Sequence, residues 1–497
     1  MNIYWGDLHN HCGITYGLGS LENALEIARS HLDFVSVTPH AFWPDIPLRT
    51  PDTEFLVDFH ERGFAKIAKN WDTVKKTIDA ANDPGSLTTF FSFEMHSSRW
   101  GDYHFLSPDS NLKIARLSTP TDVIAAQSAR TIAIPHHIGY TPGYRGIDWE
   151  GFDERISPVV EVVSKHGCAM HERASFPYYH DMGPLDPRNT VYQGLKMGKR
   201  FGFIGSTDHH AGMPGSYGDG KLAVVAKENT RESIFDAIRC RRTYAVTGAR
   251  IGCAFHVNGQ PMGAELEPAQ KYAVHYRVDA SNAIDRVVLY RNLKPVRILD
   301  GLCLPEQGGK YKLCLELGWG DNLDEPYPWE VSLHIANGRL TSVEPCLRGR
   351  SVLSPNQRVT AGDEINRPTF KMKRVGEDAL WMYCETYRNN STLSPSTTML
   401  IIEIEGGNDT LVEWEINGRK ICKTIGDLLD HGLSGQMKSY NSQAFKLHSA
   451  VPMGRYLVEG EWTLPEDGAA LYHMEVRQFD GNAAYISPVY IRREGSK

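Results

Sequence analysis

Residues 2–11, NIYWGDLHNH, and residues 201–210, FGFIGSTDHH, each join a short apolar run to a cluster of histidine and carboxylate. A run of that length suits a buried strand, and the cluster after it falls where barrel enzymes place catalytic loops, at the C-terminal ends of strands. The same arrangement recurs between them. LDFVSV (32–37) leads to Thr38-Pro39-His40, TTFFSF (88–93) to Glu94-Met95-His96, and TIAIP (131–135) to His136-His137. A further apolar run, VVEVVS, occupies 159–164. Helical stretches with recognisable N-caps separate the runs: Ser20 before LENALEIARSHL, Thr119 with Pro120 before TDVIAAQSAR, and Thr230 before RESIFDAIRCRR. Up to about residue 250 this alternation predicts parallel β/α units, as a barrel or a doubly wound sheet. The long helical stretch from about Asp52 to Ala81 fits an excursion or outer helix better than a minimal connection.

After about residue 250 the character changes. Runs such as KYAVHYRVD (271–279), DRVVLYRN (285–292), KYKLCLELG (310–318), TMLIIEIEG (398–406) and LYHMEVRQFD (471–480) are rich in β-branched and aromatic residues and separated by turn formers. The expectation is a barrel-like unit at 1–250 and a β-sandwich-like region at 251–497, which GDEINRPTFKMKRVGED divides near 360–375 if it forms two subdomains.

Composition narrows the function classes. The chain has 497 residues, 41% of them hydrophobic, enough for large cores. With 53 basic against 60 acidic side chains and no Lys/Arg run, nucleic acid is not an expected partner. No 18-residue apolar stretch points to a membrane, and the start MNIYWGDLHNH lacks the charged and apolar regions of a secretory signal. Nine cysteines without CxxC spacing fit a reducing, cytoplasmic setting better than a disulfide framework. No GxGxxG, P-loop or GxSxG motif occurs, and GLGS at 17–20 is expected to be an ordinary turn.

The strand-terminal residues carry the chemistry. Neutral imidazole and carboxylate are the usual ligands of Zn²⁺, Mn²⁺ and Fe²⁺, and a mixed open set suits hydrolysis. In an extended HNH segment His9 and His11 project to one side and can share an ion, as can Asp208 and His210, with His209 pointing away unless the chain turns. Asp7 is expected to orient a ligand rather than bind metal. A single histidine after a strand is usually structural, but independent structural histidines have no reason to gather at one end of successive strands. His31, His60 and the histidines beyond residue 250 lack that setting and are expected to be structural; His171 and His180 stay open, as does the choice between His136 and His137.

The order GDLHNH, TPH, a strand ending in Glu, PHH and STDHH resembles the PHP family, named for polymerase and histidinol phosphatase domains, over about the first half of the chain. The resemblance implies a distorted (β/α)₇ TIM-like barrel followed by the all-β region, with two or three Mn, Zn or Fe ions and water attacking phosphorus. It implies that His9, His11, His40, Glu94, His136, Asp208 and His210 are metal ligands, with His104 a further one. Two departures stand out: TPH replaces the usual TDH, and Thr15-Tyr16-Gly17-Leu18 stand where many members carry a His or Asp, which argues for two ions rather than three. EVVSKHGCAMHE, RRTYAVTGARI and AYISPVYI resemble the branch with a β-rich extension.

The resulting expectation is a metal-dependent hydrolase, a phosphoesterase acting on a small phosphorylated molecule. One ion lies at His9, His11 and Asp208 and the other at His40 and His136; Glu94 bridges, and Asp208 and Glu94 are catalytic. Arg145, placed both as catalytic and as substrate-binding, together with Arg99, Lys165 and His166, would contact the substrate. The rival readings are hydrolysis of a carboxylic ester, lactone or amide by the same metal chemistry, and a glycan-binding protein whose metal site is structural. Structural sites are normally closed Cys-rich sets, which disfavours the last.

Overall fold

The computed structural model describes residues 1–320, 325–350, 365–387, 395–439, 442–465, 468 and 470–492. In the first half the strands are β1 (Asn2–Asp7), β2 (Phe34–Val35), β3 (His40–Phe42), β4 (Thr88–Thr89), β5 (Phe91–Met95), β6 (Tyr103–Ser107), β7 (Ile132–Pro135), β8 (Val159–Ser164), β9 (Gly167–Cys168), β10 (Gly202–Gly205), β11 (Lys221–Ala226) and β12 (Thr243–Val246). The capping residues act as expected: the side chains of Ser20, Thr119 and Thr230 accept from the backbone N–H of Asn23, Asp122 and Ser233. The excursion is the helix α2 (Glu54–Ala80), which follows α1 (Leu21–Arg29) and buries Val57, Phe64, Ile67, Trp71, Val74 and Ile78 along one face.

Among the described residues, hydrogen bonding organises these strands as three sheets, not one closed parallel ring. β1, β2 and β4 are parallel neighbours, β10 is parallel to β8, and β3 is parallel to β5. Against expectation, β5–β6 and β6–β7 are antiparallel. Only residues 96–102 separate β5 from β6, too few for the crossover of about a dozen residues that a parallel partner requires. β11 likewise runs antiparallel to β1.

The composition change at residue 250 coincides with no break in hydrogen bonding. One sheet runs β4–β2–β1–β11–β12 and continues through Ala483–Ile491, Leu471–Gln478, Ile284–Arg291 and Lys294–Asp300. Tyr244 of β12 pairs with Ile486, and the Ser487 hydroxyl accepts from the Phe203 N–H of β10 at 2.7 Å. The Tyr490 hydroxyl accepts from the Phe201 N–H at 2.9 Å and donates to the Phe201 carbonyl at 2.7 Å. The apolar cores are shared in the same way. Trp5, Ala223 and Tyr244 pack with Phe255, Tyr272 and Met474, and Val160 and Phe203 with Leu471 and Tyr485. Residue 250 therefore does not divide all of the cores: those around Tyr244 and Phe203 draw on both halves, because Ala483–Ile491 buries its apolar faces against the first half, whereas those around Phe93 and Trp414 each stay on one side.

A nine-stranded sheet of described residues, built around Lys310–Trp319, Tyr327–Cys346 and Thr398–Ile416, has its own core about Trp329, Trp414 and Ile402. Part of the expected division near 360–375, residues 360–364, lies outside the described residues. No helix among the described residues is long and apolar enough to cross a membrane.

Candidate metal centre

β1 delivers Asp7 and then His9 and His11 to one end of the sheets. Asp7 is buried and fully used: its carboxylate accepts from the backbone N–H of His9, Thr207 and Gly215 and from the Thr207 hydroxyl. It ties the strand-end loop to residues 207–215, an orienting role and not a ligand's.

The remaining strand-terminal groups converge on Glu94. Its Oε2 lies 3.4 Å from His9 Nε2, 3.6 Å from His11 Nε2 and 3.8 Å from His40 Nε2, and its Oε1 lies 3.3 Å from His136 Nε2 and 3.2 Å from His96 Nδ1. Asp208 Oδ1 is 2.9 Å from His11 Nε2 and 3.4 Å from His9 Nε2. All of these side chains are buried. His9 Nε2 and His11 Nε2 face each other at 3.1 Å, while Glu94 Oε2 and His104 Nε2 have no hydrogen-bond partner. Converging lone pairs in a dry site are costly unless a cation shares them. The described His/Asp/Glu groups that could hold a metal include His9–His11–Asp208, His9–His104–His136, His11–His40–His210 and Glu94–Asp102–His136–His137. The residues therefore fit divalent ions.

One expected grouping changes. His40 sits with His11 and His210, and His136 sits with His9 and His104; His40 approaches Oε2 of Glu94 and His136 approaches Oε1. His136 faces Glu94, whereas His137 turns to Asp102 at 3.4 Å and to the ring of His166 at 4.5 Å. That turn needs a positive φ of 31° at His137; Asp208 (50°) and Arg145 (69°) also adopt the left-handed region. Three such non-glycine residues at one site mark backbone strain held where chemistry is expected. The turn at Asp208 sends His209 away, its Nδ1 accepting from the Ala211 N–H, and returns His210 beside His11 and His40.

Electrostatics follow from this packing. Burial pushes the Glu94 and Asp208 carboxyls up, but the surrounding imidazoles outweigh it and hold both well below the usual carboxylate range. Burial and neighbouring imidazoles keep His40, His104 and His210 well below ordinary histidine, and His136 at about 3. Burial also lowers His9, but Asp208 and Glu161 outweigh it, so its pKa is raised well above the ordinary value. Ionised carboxylates beside neutral imidazoles at His40, His104, His136 and His210 are the protonation states that metal binding requires, whereas His9, held protonated by its carboxylate neighbours, would have to release its Nε2 proton to an entering cation.

The substrate-binding expectations divide. Arg145 lines a cavity of about 410 Å³ above the cluster, together with His166, Tyr16, His60 and His180. Its guanidinium is fixed by Asp102, through Nε at 2.8 Å and through Nη2, and lies over the Trp43 ring. His166 Nε2 is 2.8 Å from Asp208 Oδ2, and its Nδ1 is 2.5 Å from the Tyr140 hydroxyl. Arg99 and Lys165 do not line this cavity. Arg99 is exposed because Asp45 accepts from its backbone N–H, turning the chain outward, and its guanidinium lies over Trp100. Lys165 is drawn to Asp219 at 3.5 Å. His60, expected to be structural, lines the cavity while bonding the Leu56 carbonyl, and His180 stacks on His166 at 3.8 Å. His171 packs on Tyr192 instead.

Two residues of the site are not evident from the motifs. Glu161, from the centre of VVEVVS, bonds His9 Nδ1 at 2.9 Å. Asp102 is buried and holds His96 Nδ1 at 2.7 Å along with Arg145. A lone Glu inside an apolar strand is the available signal for the first, since a buried charge needs a partner.

Residues 216–278 match the family model of DUF3604, a protein family of unknown function. An uncharacterized protein of Chlamydia pneumoniae is 30% identical over 245 residues, 46% of this chain and 39% of that protein. An uncharacterized protein of Chlamydia muridarum is 31% identical over 137 residues, 25% of this chain and 22% of that protein. The chain thus spans well under half the length of these relatives. A solved two-domain protein from Bacteroides vulgatus, described as containing a predicted PHP-like metal-dependent phosphoesterase, is similar over 60% of this chain and 85% of its own, at 16% identity and a TM-score of 0.32.

Proposed function

We propose that this protein is a metal-dependent hydrolase and that its substrate is a small phosphoester. The observation that carries the reading is the placement of Glu94 and Asp208 among His9, His11, His40, His136 and His104, buried and at ligand spacing, beneath an open cavity. His9, His11 and Asp208 would hold one ion and His136 and His104 a second; Glu94 lies between them, and His40 and His210 complete the first group. Divalent ions there supply a nucleophile at neutral pH and polarise an ester oxygen.

The chain's own groups do the rest. Asp102 occupies Nε and Nη2 of Arg145 and Met182 Sδ lies 3.6 Å from Nη1, which fixes the guanidinium in the cavity wall, where it would meet a phosphoryl oxygen. Tyr140 and Asp208 hold His166 from both ring nitrogens, so its ring cannot rotate out of the wall. Glu161 holds His9 with Nε2 toward the cluster.

The reading is tested by adding Mn²⁺, Zn²⁺ or Fe²⁺ back to chelated protein with phosphomonoesters, phosphodiesters and carboxylic esters. Metal-restored phosphoester hydrolysis is expected. Turnover of carboxylic esters alone would move the assignment to an esterase, and no turnover of any class would overturn it.

A further inference from the structure

A line of rings leads from solvent to the metal cluster. Phe55 and Phe59, one helical turn apart at the start of α2, have centroids 6.0 Å apart; Phe59 is 4.6 Å from Tyr16, Tyr16 stacks on His40 at 3.9 Å, and His40 stacks on His11 at 3.9 Å. Phe55 is 44% exposed, yet it lines the same cavity as Glu94 and Asp208. The cavity is thus polarised. Its floor is ligands and Arg145, and its mouth carries an apolar, flat-faced wall that α2 offers, with the outer ring of that wall open to solvent and the exposed carboxylate of Asp181 also in the rim.

We propose that the substrate carries an aromatic or comparably flat apolar group on its ester oxygen, seated against Phe55 and Phe59. The inference rests on the reading of the site as a phosphoester hydrolase. In an in-line displacement a water oxygen bonds to phosphorus on the side of the buried cluster, and the phosphorus–ester oxygen bond breaks on the opposite side. The bonding pair stays on the departing oxygen, which ends protonated: ROPO₃²⁻ and H₂O give ROH and HPO₄²⁻. With the nucleophile at the floor, the departing group R–O points to the mouth, where the exposed ring of Phe55 stands. Stacking there removes apolar surface of both partners from water and adds ring–ring attraction. A cavity of about 410 Å³ accommodates a phosphoryl group and a ring system together.

The experiment compares binding of phenylphosphonate and methylphosphonate, which are not hydrolysed, to metal-loaded protein by calorimetry, alongside turnover of phenyl phosphate and methyl phosphate. Phenylphosphonate is expected to bind about tenfold tighter or better. Phe55→Ala, at an exposed position that tolerates truncation, and Phe59→Leu, which keeps bulk but not a flat ring, should each shrink that ratio toward one. Equal affinity of the two phosphonates in the wild type, or an undiminished ratio in both variants, would overturn the inference while leaving hydrolysis of both esters intact. Absence of binding and turnover for every compound would instead remove the phosphoesterase reading, and the inference with it.

Discussion

His9 Nδ1 and Glu161 Oε2 meet at 2.9 Å, both buried and 152 positions apart in the chain. The carboxylate assigns the ring proton to Nδ1 and leaves Nε2 facing Glu94 and Asp208, the relation that usually tunes a metal-bound histidine. Glu161→Ala should therefore lower metal affinity about 10- to 100-fold. Glu161→Gln, which still accepts a hydrogen bond, should lose less. Competition against a chelator checks this, and equal affinities in all three proteins would remove Glu161 from the site.

Asp208 touches His9, His11 and His166 at once. Asp208→Asn and His9→Ala are expected to lower kcat by about 10³-fold or more, on the scale of removing a charge-stabilising group. Circular dichroism should show an unchanged fold, because the sheets are held by other residues. Full turnover in either variant with normal metal content would sink the assignment.

Metal content discriminates between two and three ions. Tyr16 stands where the resemblance to the PHP pattern implies a ligand for a third ion, and its ring stacks on His40 instead of offering an imidazole or carboxylate. Protein purified without chelator should plateau near two equivalents, and His104→Ala should lower that plateau. A third equivalent that survives His104→Ala would mean that another group, such as His11–His40–His210, holds its own ion.

Away from the centre, Glu475 is buried against the hydroxyls of Tyr192 and Tyr290, and burial raises its carboxyl to about 7. The unfolded chain releases this proton near 4.5 while the folded chain holds it, so between pH 4.5 and 7 the folded state binds more protons and stability falls as pH rises. The penalty is absent below 4.5 and complete above 7, about 3 kcal/mol in size. Glu475→Gln should melt increasingly above the wild type as pH goes from about 5 to about 7.5. A constant difference in Tm across that range would show that Glu475 does not titrate this way.

The backbone N–H groups of Phe203 and Phe201 donate to the hydroxyls of Ser487 and Tyr490 and so bind the strand Ala483–Ile491 to the one that leads to Asp208. A fragment ending at residue 250 leaves the β12 edge unpaired and Trp5, Tyr244 and Phe203 uncovered. Residues 1–250 alone should aggregate or be digested rapidly by protease. A cooperative melt of that fragment would show that the first half does not depend on the last strand.

The positions of the cluster were legible in the sequence because they depend on local regularities. An apolar run long enough to be a buried strand puts the next few residues at its end, so His9, His11, His40, Glu94, Asp208 and His210 could be named one after another along the chain, with His136 and His137 left as alternatives. Side-chain alternation could even pair His9 with His11. What local pattern does not carry is the distance between residues far apart in sequence. Glu161 could not be matched to His9, nor Asp102 to Arg145, until the strands lay side by side. Arg99 and Lys165 had suitable charge and loop placement, but Asp45 and Asp219 draw them elsewhere. The break inferred at residue 250 is crossed by a continuous sheet for the same reason. Composition records where alternating strands replace β/α units, whereas the pairing of Ala483–Ile491 with β12 depends on which edge and which apolar face remain open once the rest has folded.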